Sequence, residues 1–527
     1  MNIQGYLGID AGTQGLSIIF TDDALKIIAH GEGSYEMVPG LEPACYEQSP
    51  GDWEQALATA MADLRKKLTD AGIEIDVEAI GISGQMHGEV LADALGRSLG
   101  PARLWCDGRN EAEGHELTER FGVKMPKRIT TARWLWTIRN QPEKAAKVAH
   151  ITTPAGWIAR LLTGRWNLGI GDAAGMFPID QRTLNYDLNL LADFDVIATA
   201  AAKGVTIRPL RELLPTVKKA GEDGGLLDAH GAALLGLPAG IPVAPAEGDQ
   251  PAALAGSLIG AAGMVSMSFG TSVVANSVGD RAFGGISRSV DHFCAPDGKP
   301  INMVWLRNGT TAMNTVVEMF GKVTDSATDS ATTGTASDAS TAFTNVMPQV
   351  LAATADCGGL LALPFMDDEP GLGVSHGGTA GLIGLSEKNA TPGNVAKAML
   401  LATIFNLRIG SDALDAQGFP RTEIILSGGL TKTPALGQIL ADAFNTPVTI
   451  LDAAAEGTAW GATLLAKFRR LAIAGRLPEW TPFLEGHASG TPTRFTPRPA
   501  QTAIYHQMYA RYRRLVALHE TLLEAVS

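Results

Sequence analysis

The chain is short of several things, and each shortage closes off a class of function. Cysteine is scarce: among 527 residues there are only Cys45, Cys106, Cys294 and Cys357, far apart and without a C-x-x-C pair. Neither a zinc site nor a disulfide framework is indicated, and free thiols suit the cytoplasm. Positive charge is short as well, with 42 Lys and Arg against 55 Asp and Glu and a net charge of −13. No basic cluster is long enough to track a nucleic-acid backbone, so a nucleic-acid partner is not expected. The opening residues, MNIQGYLGID, lack the basic and apolar regions of an ordinary secretory signal. Long uncharged runs are nearly absent. The one candidate, residues 251–278, is broken in its second half by seven serines, threonines and glycines. It reads as a buried helix followed by strand, turn and strand rather than as a membrane span. Phosphate-binding signatures of the commonest kinds are missing too: there is no GxxxxGK[ST] and no HRD or DFG.

The rest of the chain is apolar and periodic. At 45% hydrophobic residues it can bury a large core, and its length suggests at least two domains. Amphipathic helices alternate with short apolar strands, the pattern of an α/β protein. Trp53, Leu57, Met61, Leu64 and Leu68 share one helical face, and the strand AIGISG follows from Ala79. Later, helix, strand EIILSGG, helix, strand PVTIL and helix succeed one another as β-α units. Residues 324–343 are Ser/Thr/Ala/Asp-rich without hydrophobic period and are expected to form a mobile surface excursion.

Two stretches echo each other. YLGIDAGTQGLSI near the start and GMVSMSFGTSVVANS near Gly263 both read as strand, Gly-Thr turn and strand, which points to a duplicated fold. Aligning them sets Asp10 against Ser268, Gly12 against Gly270 and Thr13 against Thr271. Glycine in such a turn lets backbone N–H groups approach a phosphate, and the hydroxyl adds a donor. Asp10, kept in one copy only, either caps its turn or holds a metal whose other ligands are phosphates and water.

Eight motifs in order then resemble the FGGY family of carbohydrate kinases over nearly the whole chain. They are LGIDAGTQG (7–15), GISGQMHG (81–88), LWCDGRN (104–110), TTARWLW (130–136), GDAAG (171–175), the segment 236–257 containing AEGDQPAA, SFGTS (268–272), and SGGLTKTPALGQILADAFNTPV (427–448), with EGTAWGATLLA closing the last. GISGQMHG and LWCDGRN are similar to xylulokinase segments. The resemblance implies duplicated ribonuclease-H-like, actin-like ATPase domains with a cleft between them, divided as 1–256 for the sugar and 257–527 for ATP. It implies ATP and Mg²⁺ as cofactors, a small sugar as acceptor, and a cytoplasmic enzyme, with a homodimer as the expected assembly.

Carried over residue by residue, it makes Asp249 the catalytic base and assigns sugar contacts to Met86, His87, Trp105, Asp107, Arg109 and Gln250. Phosphate and nucleotide contacts fall to Gly12, Thr13, Gln14, Gly270, Thr271, Ser272, Gly428, Gly429 and Lys432, and the metal to Asp10. Each has a plainer reading from the residues alone. Asp249 suits a helix N-cap, His87 and Met86 suit a core, Asp107 and Arg109 suit a buried ion pair, and strand-Gly-Gly-helix is an ordinary turn. The chain also departs from the pattern. Gln14 and Ser17 stand where Ser or Thr and a cation are usual, Arg133 stands for lysine, and the base is followed by Gln250 as in glycerol kinases. A ketopentose, D-xylulose above all, is the expected acceptor; a polyol such as glycerol and a non-catalytic sugar-sensing ATPase are the alternatives.

Overall fold

A computed structural model describes residues 1–328, 339–451, 457–488 and 490–526. Apolar alternation at the start builds β1 (Asn2–Ala11), and the turn at Gly12 and Thr13 reverses it into β2 (Gly15–Asp22) and then β3 (Ile27–Ser34). The helix α1 (Pro50–Asp70) buries its expected apolar face, Trp53 through Leu68, on β2 and β3. β4 (Glu74–Gly84) returns parallel to β1. After an excursion that includes α2 (Thr130–Asn140), the short β5 (Glu247–Gly248) joins β4 in parallel and leads directly into α3 (Asp249–Gly256). The sheet order is β5-β4-β1-β2-β3.

The second half repeats this plan. β6 (Met264–Phe269) turns at Gly270 into β7 (Val273–Val278), followed by β8 (Val290–Cys294) and β9 (Pro300–Leu306). The helices α4 (Thr311–Thr328), α5 (Ala339–Ala352) and α6 (Pro392–Ala416) lead to β10 (Glu423–Gly428), α7 (Leu436–Phe444) and β11 (Val448–Ile450). Farther along come α8 (Gly457–Ile473) and β12 (Thr493–Phe495). This sheet runs β8-β9-β7-β6-β10-β11-β12. β6 occupies the place of β1, antiparallel to the strand after its turn and parallel to β10. Register makes the equivalence specific: Asp10 pairs with Ser83 across β1 and β4, and Ser268 pairs with Ser427 across β6 and β10.

The halves interlock. α8 lies on β1, β4 and α3 of the first half. The approach is so close that a Cβ on Gly81 would fall 1.8 Å from the Ala462 carbonyl oxygen. Trp460, Leu464 and Phe468 of α8, with Trp480 and Phe483, share one buried cluster with Tyr6, Ile19, Ala79, Ala244 and Ala255. Among the described residues, no helix is long and apolar enough to cross a membrane. The four cysteines are unpaired, as expected.

The polar segment 324–343 departs from the expectation at both ends. Residues up to Thr328 continue α4, Ala339 onward starts α5, and Phe343 packs against the second core. Ser, Thr and Ala carry little apolar period of their own, yet they extend a helix already nucleated by the amphipathic turns at Val316, Val317 and Phe320. Residues 329–338 of that segment lie outside the described ones.

Candidate active site

Three parallel strands, β1, β4 and β5, end at the same edge, at Ala11, Gly84 and Gly248. The segments leaving these strand ends share one crevice, the usual place for ligands in such sheets: the Gly-Thr turn, the stretch Gln85-Met86-His87, and Asp249. Ser272, beside the hairpin turn at Gly270, faces it from the second sheet.

Asp10 does not cap its own turn. Ser83 Oγ donates to Asp10 Oδ1 (2.5 Å), and the Thr458 hydroxyl at the start of α8 donates to Oδ2. The turn is held by other groups: the Tyr35 hydroxyl bonds to the carbonyls of Gly12 and Gly15, and Gln48 Nε2 donates to the Thr13 carbonyl (2.7 Å). Burial raises the Asp10 carboxyl above its ordinary range, and the two hydroxyl bonds pull it back. Its charge in turn acts on Asp249.

Asp249 is the first residue of α3 and the N-cap is Gly248, so Asp249 is not the capping residue that its local sequence suggested. Burial, with the charge of Asp10 added, pushes its pKa up to about 7; backbone N–H groups of Gln250 and Met86 oppose the rise. Beneath it sit two further acids. Asp172 of the GDAAG motif is fully buried and bound to Thr153 Oγ1 (2.5 Å), and Glu247 accepts the Asp172 N–H (2.9 Å). Burial pushes Asp172 up to about 8 and raises Glu247 as well.

Asp249 opens into a cavity of about 430 Å³ between the two halves. Met86, His87, Trp105 and Gln250 line it together with Ser272 of the second hairpin. Cys106, Lys127, Arg128, Val274, Met303, Trp305 and Arg307 complete the lining. Lys127, Arg128, Met303, Trp305 and Arg307 belong to none of the eight family motifs, nor does Val274, which lies in the second strand-turn-strand stretch. The only signal for any of the first five was the alternation of Met303 and Trp305 along NMVWL, which places both on one strand face. His87 has φ +65° and bonds through Nδ1 to the Gly175 carbonyl (2.9 Å). Burial, helped by the charges of Arg128 and Arg133, lowers its pKa to about 3. The ring is thus neutral, Nδ1 is the donor, and Nε2 is left as an acceptor.

The fully buried Arg133 on α2 ties this cavity together. Its Nη1 donates to the carbonyls of His87 (3.0 Å) and Arg128, and its Nη2 donates to that of Trp105 (2.8 Å). A lysine has no planar fork to reach three carbonyls. Asp107 and Arg109 do not line the cavity. Arg109 Nη2 bonds to Asp107 Oδ2 (2.6 Å) and Glu47 Oε1 (2.5 Å), and Asp107 Oδ2 accepts the Tyr46 N–H (2.9 Å), a part-buried cluster beneath Trp105.

A second cavity, about 520 Å³, is lined by Gly429, Leu430, Lys432, Thr433 and Leu436 beyond β10, and by Thr310, Met313, Asn314, Phe343, Thr344 and Met347. Gly428 lies outside it. It has φ +79°, and a Cβ there would meet the Phe269 carbonyl oxygen at 2.6 Å, so glycine serves the packing of β10 against the second hairpin. That hairpin is braced by Thr310, whose N–H donates to the Gly270 carbonyl (2.8 Å), and by the Gly309 N–H to Thr271 (2.9 Å). The open recess at the first hairpin, lined by Gly12, Thr13, Gln14, Ser17 and Glu32 among others, has no Lys or Arg in its lining.

No group of three or more His, Cys, Asp or Glu among the described residues forms a ready-made metal site. Asp10, the acid assigned to the metal, suits a hard divalent cation that takes its remaining ligands from phosphate and water.

Comparison with known proteins matches both halves of the chain to one family. Residues 5–256 match the FGGY family of carbohydrate kinases, N-terminal domain, and residues 265–469 match its C-terminal domain. A xylulose kinase of Haemophilus influenzae is 27% identical over 474 residues, covering 86% of this chain and 89% of that one. One from Escherichia coli is 26% identical, covering 88% and 89%. The crystal structure of xylulose kinase from Rhodospirillum rubrum superposes with a TM-score of 0.81 at 22% identity, covering 98% of this chain and 99% of that one.

Proposed function

Since the chain belongs to the FGGY family of carbohydrate kinases, we propose that it transfers the γ-phosphoryl group of ATP to a ketopentose, D-xylulose before others, with Asp249 as general base. The observation that carries this reading is Asp249 itself, a carboxylate in the lining of a cavity shared by both halves.

Phosphoryl transfer to an alcohol needs little covalent help: positioning, charge stabilisation and an acceptor for the hydroxyl proton suffice. A base with a pKa near 7 is well matched to neutral conditions, since it is substantially ionised yet still a strong enough acceptor. In this reading the sugar lies in the 430 Å³ cavity with its reacting hydroxyl toward Asp249, and His87 Nε2 accepts from a hydroxyl farther along. Adenosine occupies the cavity beyond β10, and the phosphates run between the two Gly-Thr hairpins, where Thr13, Thr271, Ser272 and backbone N–H groups are donors. Asp10 would hold Mg²⁺, which would supply positive charge to offset the negative charge of the phosphates. The reading takes the protein as a cytoplasmic homodimer with its domain boundary near residue 256.

Gln250 favours a polyol, while the Met86 and His87 end favours a ketose. Gln250 adjoins the base and meets only the hydroxyls beside the reacting one, a geometry that both substrates offer. His87 meets the body of the substrate, where a three-carbon triol would leave a polar group unpaired, which discriminates strongly. Coupled ADP release measured over ketopentoses, hexuloses and polyols tests this: kcat/KM should be highest for D-xylulose and at least about tenfold lower for glycerol. Glycerol as the better acceptor would overturn the assignment.

A further inference from the structure

The second sheet meets the sugar cavity with a row of three residues in register. Asp291 on β8 pairs with Met303 on β9, and Met303 pairs with Asn276 on β7, so all three lie on one face. Met303 lines the cavity. The residues on either side of it each hold a side chain of the first half that lines the same cavity. Asp291 pairs with Arg128, and Asn276 Nδ2 donates to Gln250 Oε1 (3.1 Å). Asp291 and Asn276 are themselves buried, at 9% and 5% exposure, and neither lines the cavity.

From this arrangement we propose that Asp291 and Asn276 are positioning residues for the acceptor: they aim Arg128 and Gln250, which contact it, from the opposite domain. The inference rests on the sugar-kinase reading and adds one contacting role, that of Arg128, and two positioning roles. Arginine and glutamine lose much rotamer freedom when they bind a ligand. A partner that fixes them beforehand removes that cost from sugar binding. Asn276 does more than restrain. By engaging Oε1 it leaves the Nε2 donor of Gln250 for the sugar, so the amide presents a donor to a hydroxyl or carbonyl oxygen. Arg128 is likewise donor-only. Opposite them His87 Nε2 accepts, and the site can bind an acceptor sugar through both its oxygens and its hydroxyl protons. Because both anchors belong to the second domain, sugar affinity is tied to the docking of the two halves.

Lys124 supplies the control. It pairs with the same Asp291 (2.7 Å) and donates to the Arg288 carbonyl (2.6 Å), yet it does not line the sugar cavity. Lys124→Gln therefore weakens the interface without releasing Arg128. The experiment measures KM for sugar and for ATP in Asp291→Asn, Asp291→Glu, Asn276→Ala and Lys124→Gln, using the acceptor on which the unaltered protein works best. A wrong sugar name would thus affect every variant alike and could not mimic the split expected here. Asp291→Asn and Asn276→Ala should each raise the sugar KM about tenfold and leave the ATP KM and kcat within about twofold. Asp291→Glu should recover part of the loss, and Lys124→Gln should leave the sugar KM within about threefold. Asp291→Asn should add nothing once Arg128→Ala is present, nor Asn276→Ala once Gln250→Ala is present. Additive losses in these cycles, equal changes in both KM values, or a Lys124→Gln effect as large as that of Asp291→Asn would overturn the proposal. Should Asp291→Asn fail to fold, the Asn276 and Gln250 cycle decides alone, with the same outcomes.

Discussion

Asp249→Asn tests the chemistry and the electrostatics of the site together. The substitution keeps shape and removes the charge. In the folded protein burial and Asp10 raise the Asp249 pKa from 3.8 to about 7. The folded state therefore holds this proton more tightly than the unfolded chain does. Its contribution is most favourable below the unfolded pKa and is lost as pH rises toward 7, after which it stays constant. At about 1.4 kcal/mol per pKa unit the full difference is about 4 kcal/mol, and a site open to the cleft brings it nearer 2–4. An uncharged Asn is spared that penalty. The variant should be more stable than the unaltered protein at pH 8, by a Tm difference of about 5–10 °C for a domain of this size, and the gap should shrink by roughly half or more at pH 5. Sugar-dependent ADP release should meanwhile disappear while ATP binding stays near normal. Thermal melts at both pH values and a coupled assay measure all three. A Tm difference independent of pH would mean that Asn changes packing rather than charge. Retention of a tenth of the turnover would remove Asp249 as the base.

Other expectations rest on the same geometry. In the unaltered protein, kcat/KM for the sugar should fall about tenfold per pH unit as pH drops below about 7, because the base must be ionised; a profile flat to pH 5 would contradict this. Asp10→Ala should raise the Mg²⁺ concentration needed for half-maximal rate by about tenfold, and an unchanged metal dependence would leave Asp10 a structural role with Ser83 and Thr458. Arg133→Lys should raise the sugar KM about tenfold, since it frees two of the three carbonyls that shape the cavity, with little effect on the ATP KM. Phe343→Ala should do the reverse and raise the ATP KM a few-fold, because Phe343 lines the cavity beyond β10.

Much of this was legible in the chain because the signals were local. A strand, a Gly-Thr turn and a strand are written in consecutive residues, and their repetition exposed the duplicated sheets; even the pairing of Asp10 with Ser268 survives as equivalent register. Asp249 read locally as a helix N-cap, and only the order of the family motifs singled it out as the base. Sequence left open matters of direction. Asp107 and Arg109 stand in the same motif as Trp105, but alternation along an irregular segment does not say which side chains face the cleft, and these two turn toward Glu47 and Tyr46. Gly428 carried the right residue type for a ligand approach and uses it against Phe269. Arg128, Met303 and Trp305 were invisible for another reason. They become a site only when two distant halves meet, and each looks like ordinary surface or core until then.

The placement of α8 bears on how the chain comes off the ribosome. One face of the first sheet, with Tyr6, Ile19 and Ala79, is covered by residues that follow β6 to β11 of the second sheet. At roughly 5–20 residues per second, about 10–40 s of synthesis separate completion of α3 from completion of α8. During that interval the nascent first domain carries an apolar face without its lid, and the glycines that admit α8 so closely leave a smooth groove rather than a side-chain-studded one. A fragment ending near residue 256 would keep that face bare for good. Such a chain is a natural client for chaperones that hold apolar surface, and release should become complete only after Phe468 and Trp480 have emerged.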